Sequence, residues 1–266
     1  ADMVLEDYSY FTGGKETPNW HLGFRVSKDI KLSFDHITFV PAEIKAATPP
    51  TPTSGYVPPT KTLSFKAGDL IAKTSGTDKA HNWNIYLRDN RKKNIFVNQE
   101  RYEKVQDRYD YVNAACPFDY YEVAEKQLVV ALMGFSKAGQ ATTCGTNSKD
   151  VKGSISGLWH LGKDGVGADY QGQYATPFSV YKTSSDEIVI YEVNHQRYIL
   201  ASNNPTYKDP VAVTDAHCYS LTEYGESKMQ GYAYFKIVSD LEMRMSFSKT
   251  GSCPTTFPTS STTYYR

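Results

Sequence analysis

Between residues 178 and 248 apolar and polar positions alternate in short runs broken by turn formers. Phe178-Ser-Val-Tyr-Lys-Thr is followed by Ser184-Ser-Asp, then Glu187-Ile-Val-Ile-Tyr-Glu, Val193-Asn-His and Arg197-Tyr-Ile-Leu-Ala-Ser. Runs rich in β-branched and aromatic residues, separated by polar turns, predict antiparallel strands in meander order. Leu158–Leu161, Val211–Thr214, Cys218–Thr222, Gly231–Val238 and Glu242–Ser248 extend the series, giving roughly eight strands, a number that closes a small barrel. The stretch from Gly251 to Arg266, rich in Thr, Ser and Pro, reads as extended chain.

The first half is more mixed. Leu22–Val26, Ile30–Phe34 and His36–Val40 read as strands, with Ser27-Lys-Asp as a hairpin turn, and strands resume at Leu63–Lys66 and Trp83–Leu87. Pro41, Pro49, Pro50, Pro52, Pro58 and Pro59 exclude a central strand or a helix over residues 41 to 60, which leaves a long surface loop within the lobe. Asn98 is placed to cap a helix with Tyr102, Val105, Tyr109 and Val112 on one face, ended by Pro117. Asp119 is placed to cap a second, with Val123, Ala124, Leu128, Leu132 and Phe135 as its buried stripe, and the two would pack antiparallel. The small, polar residues 145 to 157 suggest a boundary. The expected fold is α+β: a mixed ligand-binding lobe over residues 1–152 and an antiparallel β-barrel of about eight strands over 153–266.

Charge narrows the partners. Lys+Arg and Asp+Glu both number 29, so the formal net charge is zero, which argues against a nucleic-acid or anionic-membrane binder. No apolar run is long enough to span a bilayer. Cys116, Cys144, Cys218 and Cys253 are widely spaced, with no CxxC pair, and favour two disulfides in an oxidising compartment; three pairings are possible. Together with the opening Ala1, this predicts a secreted, extracellular or periplasmic protein in mature form.

Candidate chemistry is sparse. HExxH, HxH, GxSxG and phosphate-loop patterns are absent, so catalysis is not expected. Gly165-Val-Gly-Ala, Pro177-Phe-Ser-Val-Tyr-Lys-Thr and Asp186-Glu-Ile-Val-Ile-Tyr-Glu resemble the opening barrel strands of Slam-exported bacterial surface proteins. The hemophilins of that group are secreted haem scavengers, and the resemblance covers about residues 158 to 248. It implies a barrel used for export and docking to a surface receptor, and a haem held in the N-terminal lobe. The axial ligands are then sought among His21, His36 and His81, with Trp83 and Tyr86, beside Trp20, Phe24, Phe34 and Phe39, as walls. The expected function is binding, of haem or a similar small apolar ligand. A surface adhesin or assembly subunit for protein or glycan, and a secreted hydrolase, are the alternatives.

Overall fold

The structure, a computed structural model, describes residues 1–11, 18–50, 55–75, 83–103, 112–132, 150–163, 178–183, 186–191, 197–222 and 229–266. Antiparallel sheets dominate and helices are few. The chain divides into two compact units, Ala1–Lys93 with Asn113–Glu122, and Asn94–Val112 with Val123–Arg266.

In the first unit the strands are β1 (Met3–Phe11), β2 (Asn19–Arg25), β3 (Ile30–Ile37), β4 (Ser64–Phe65), β5 (Asn84–Asp89) and β6 (Ala114–Ala115), with one helix, α1 (Ala42–Ala47). They form a six-stranded sheet in the order β4-β1-β2-β3-β5-β6. Alternation along β2 sends Trp20, Leu22 and Phe24 to the core with Leu5, Tyr8, Ile37, Val40, Ile44 and Phe65. His21, Gly23 and Arg25 take the other face. The hairpin after β2 forms as the sequence suggests, Val26 donating its N–H to the Ile30 carbonyl at 2.9 Å.

Three local expectations change. β1 escapes the alternation test because a register shift between Leu5 and Asp7 loops out Glu6, so core residues Leu5 and Tyr8 are three apart. His36–Val40 is not a separate strand: β3 runs to Ile37, with an irregularity opposite Trp20 and Leu22, and Phe39 pairs instead with Lys73. The proline-rich segment contains α1, because Pro41 stands at its N-cap and Pro49 follows its end, leaving Ala42–Ala47 free of proline. The buried Ile44 and Ala47 tie this loop to the unit's core, and Tyr8 donates its hydroxyl to the Pro49 carbonyl at 2.8 Å.

The second unit holds α2 (Gln99–Glu103), α3 (Val123–Leu132) and strands β7 (Gly157–Trp159), β8 (Phe178–Lys182), β9 (Ile188–Tyr191), β10 (Arg197–Leu200), β11 (Ala216–Thr222), β12 (Met229–Ser239), β13 (Glu242–Ser248) and β14 (Thr262–Tyr265). Two four-stranded sheets result, β10-β9-β8-β7 and β11-β12-β13-β14. Trp159, Phe178, Val180, Ile188, Ile190 and Leu200 from one meet Tyr219, Leu221, Phe235, Met243, Met245 and Tyr264 from the other in a single core. Among the described residues no ladder closes these sheets into a barrel. An isolated bridge does join the end of β7 to β14: His160 and Tyr265 exchange backbone hydrogen bonds at 2.7 Å.

Val211–Thr214 is not a strand. Pro210 starts a 3-10 turn over Pro210–Ala212, and the Asp209 carboxylate accepts the Val211 N–H at 3.0 Å. Asn98 does cap α2, its side-chain oxygen accepting the Arg101 N–H at 3.3 Å, but the described part of that helix ends at Glu103. Asp119 lies in a 3-10 turn (Pro117–Tyr120), and α3 starts only at Val123. The expected buried stripe is not buried there, since Val123 and Leu128 are 74% and 69% exposed. Phe135 and the antiparallel packing of the two helices fall outside the described residues.

Candidate functional site

The polar face of the first unit's sheet is organised around His21, which is buried on its own strand. Its Nδ1 donates to the Asp35 carboxylate at 2.9 Å, its Nε2 lies 3.9 Å from Asp7, and the Tyr56 ring meets it edge-on at 4.6 Å between centroids. Asp7 reaches Lys31 as well, and Glu6 lies 3.2 Å from the same ammonium. Burial alone would lower the Lys31 pKa, but the bonds to Asp7 and Glu6 outweigh it and the net shift is upward. Asp7 spans these partners by lying across Gly23, where a Cβ would come within 2.3 Å of its Oδ1. Both nitrogens of His21 therefore face carboxylates.

His36 is placed differently. It sits at the irregular end of β3 with φ of 61°, in the left-handed region, and Thr74 fixes this conformation by donating its hydroxyl to the His36 carbonyl. Its Nδ1 is buried and has no hydrogen-bond partner among the described residues. The β3–β5 ladder ends at the pair of Asp35 and Asn84, and His36 and Trp83 are the next residues on either side of it. Trp83, 49% exposed, stacks on Phe34 with centroids 5.9 Å apart and planes 22° apart. Phe39, also exposed, lies beneath the Lys73 ammonium at 5.8 Å. An imidazole whose Nδ1 has no partner among the described residues, an exposed indole and an exposed phenyl ring thus lie near the end of β3.

The sequence candidates separate accordingly. His36 and Trp83 share the end of the β3–β5 pair, whereas Tyr86 pairs with Ser33 in the row that continues through Gly23 to Asp7, on the face of His21. Trp20 and Phe24 are core residues, not pocket walls open to a ligand. His81 lies outside the described residues. Arg88, Arg91, Lys92 and Lys93 lie at the end of β5 and just after it, where the turn is braced: the buried Asp89 accepts from Arg91 Nε at 2.9 Å and Nη2 at 2.8 Å, and from the Tyr120 hydroxyl. These donors, Arg91 first, hold the Asp89 carboxyl well below the usual carboxylate range.

In the second unit Cys218 and Cys253 form a disulfide across a sequence separation of 35. Cys116 is disulfide-bonded too, while Cys144 lies outside the described residues. Two buried polar groups there carried no sequence signal. His160, next to the core residue Trp159, is pushed down to about 3, chiefly by burial and then by the Arg101 charge. Arg266 is buried to 1% exposure. It meets Asp150 Oδ1 at 2.8 Å and donates to the carbonyls of Ser156 at 3.1 Å, Ser154 at 3.0 Å and Asp240 at 2.6 Å. Its guanidinium carbon stands 4.2 Å from the Trp159 ring centre.

Among the described residues no group of three or more His, Cys, Asp or Glu side chains could hold a metal ion, and no helix is long and apolar enough to cross a membrane. The chain matches no protein-family model, no curated protein and no solved structure.

Proposed function

We propose that this is a secreted, non-enzymatic binding protein of the hemophilin type, whose first unit holds haem and whose second unit serves export and receptor docking. The observation that carries the ligand reading is His36. A left-handed conformation costs a residue with a Cβ roughly 1–2 kcal/mol, and a buried polar atom without a partner roughly 1–3 kcal/mol. Costs of that kind concentrate where a ligand offsets them. Trp83 and Phe34 supply a flat apolar wall beside it, and the Lys73 ammonium supplies a cation for a carboxylate of the ligand. His36 would hold the haem iron as an axial ligand, and the iron would supply the bound group's affinity for a neutral imidazole. His21 fits this role less well, because Asp7 stands 3.9 Å from its Nε2 and the Tyr56 ring packs edge-on against it.

The second unit, in this reading, is an eight-stranded barrel. Its support is the shared core of the two sheets, the His160–Tyr265 bridge and the course of β10 beside β11. The disulfides suit an oxidising compartment.

Haemin titration of the purified apoprotein tests the reading. Wild type is expected to give a sharp Soret band at one equivalent, His36→Ala to lose it, and His21→Ala to keep it. A wild-type spectrum matching free haemin ends the proposal, and a full Soret band in His36→Ala removes that residue from the ligand role.

A further inference from the structure

The segment 249–261, between β13 and β14, is strapped across the outer face of β11, β12 and β13. Cys253 is bonded to Cys218 on β11, and the Phe257 ring packs edge-on against Tyr234 of β12 with centroids 5.3 Å apart. Ala233, Phe235, Met243 and Met245 point into the core, so Tyr234, Lys236 and Arg244 point outward. Lys236 and Arg244 are register partners, directly opposite each other on β12 and β13. Both cations stand over the same ring, Lys236 Nζ at 6.0 Å and the Arg244 guanidinium at 5.8 Å from the centre of Phe257.

Like charges directly opposite one another on a sheet face repel. Proteins usually relieve such a pair with a carboxylate, yet among the described residues neither cation is in an ion pair with one. Glu242, on the same face two positions before Arg244, does not pair with either. The ring of Phe257 offsets part of the repulsion, but an exposed cation–aromatic contact is weak. The arrangement is two converging donors, an aromatic ring and a hydroxyl-rich strap, with no balancing carboxylate among the described residues. Because the whole protein is formally neutral, this local excess of positive charge is not a by-product of a basic composition.

We propose that Lys236 and Arg244, with Tyr234 and Phe257 as their apolar floor, bind an oxyanion, the sulfate or carboxylate of an acidic saccharide or the same anion free in solution. The guanidinium offers a planar two-donor edge to such a group and the ammonium a point charge from the facing strand. The exposed Thr255 and Thr256 of the strap provide hydroxyl neighbours for a sugar. This site is independent of the haem reading, since all of its residues belong to the second unit.

Titration of the full chain at low ionic strength tests this, with sodium sulfate and a sulfated disaccharide as separate probes, against Lys236→Gln/Arg244→Gln. Wild type is expected to saturate with one or both, to weaken as sodium chloride is added, and to bind at least about ten-fold more tightly than the double variant. Response to the saccharide alone assigns the glycan as source, and response to both assigns the oxyanion itself. Equal binding in the double variant, or none in wild type, overturns the site, as does binding confined to an acidic peptide. Melting without added anion gives a second reading. The double variant should melt no lower than wild type, and sulfate should raise wild type more than the variant, whose response reports the general salting effect. A double variant that melts lower, as Phe257→Ala is expected to, with no difference in sulfate response, shows that the cations only hold the strap.

Discussion

Arg266→Met keeps most of the side chain's volume and removes its charge from the interior of the second unit. Three losses follow from the geometry: Asp150 loses its partner at 2.8 Å, the carbonyls of Ser154, Ser156 and Asp240 lose donors, and Trp159 loses the cation on its face. Stranding one member of a buried pair costs about 3–5 kcal/mol. A shift of that size corresponds to roughly 10 °C in melting temperature for a unit this large. Burial already raises the Asp150 carboxyl above its ordinary value against the pull of Arg266. Without Arg266 it rises further. The variant's deficit is therefore largest at neutral pH, and shrinks as pH falls through the raised value and the carboxyl becomes neutral. Urea unfolding followed by tryptophan fluorescence measures the cost, and the cycle with Asp150→Asn isolates the pair. The double variant should be less destabilised than the sum of the singles by about 1–3 kcal/mol. A loss under about 1 kcal/mol for Arg266→Met, or additivity within about 0.5 kcal/mol, refutes the idea that this pair holds the unit together.

Two further outcomes follow from buried groups of the same unit. Replacing Cys218 and Cys253 by Ser opens a loop of 35 residues, for which chain entropy gives a loss of about 4 kcal/mol; a change under about 1 kcal/mol in chemical denaturation argues that the strap is held without the bond. His160 has a folded-state pKa of about 3 against an ordinary 6.5, so its contribution is whole above pH 6.5 and is lost as pH falls below it. From pH 6.5 to 4.5 the loss is about 2–3 kcal/mol, which His160→Gln should largely remove; an unchanged acid profile in that variant contradicts the assignment.

β7 to β13 of the second unit were readable because turn formers separate them and their side chains alternate around one core: Phe178, Val180, Ile188 and Ile190 announce their burial two residues apart, whereas β14 lies in a stretch that reads only as extended chain. β1 was not, because the register shift that looks like a broken pattern is set by its partner β2. Val211–Thr214 failed for the reverse reason, a β-rich composition overruled by Pro210 and a capping aspartate. Of the site, residue type pointed to His36 and Trp83, and exposure or strain could not be seen. Which nitrogen of His21 meets which carboxylate, or that His36 takes a left-handed conformation, depends on strand pairing between distant residues. Asp150 and Arg266 are 116 residues apart, and no local pattern links them.

That separation has a temporal consequence. A chain synthesised in the N-to-C direction must carry Asp150 without this counter-charge until Arg266 emerges. Until then β13 also lacks its neighbour β14, and the Trp159 face stays bare. The core of the second unit is thereby kept from locking until Arg266 has joined it.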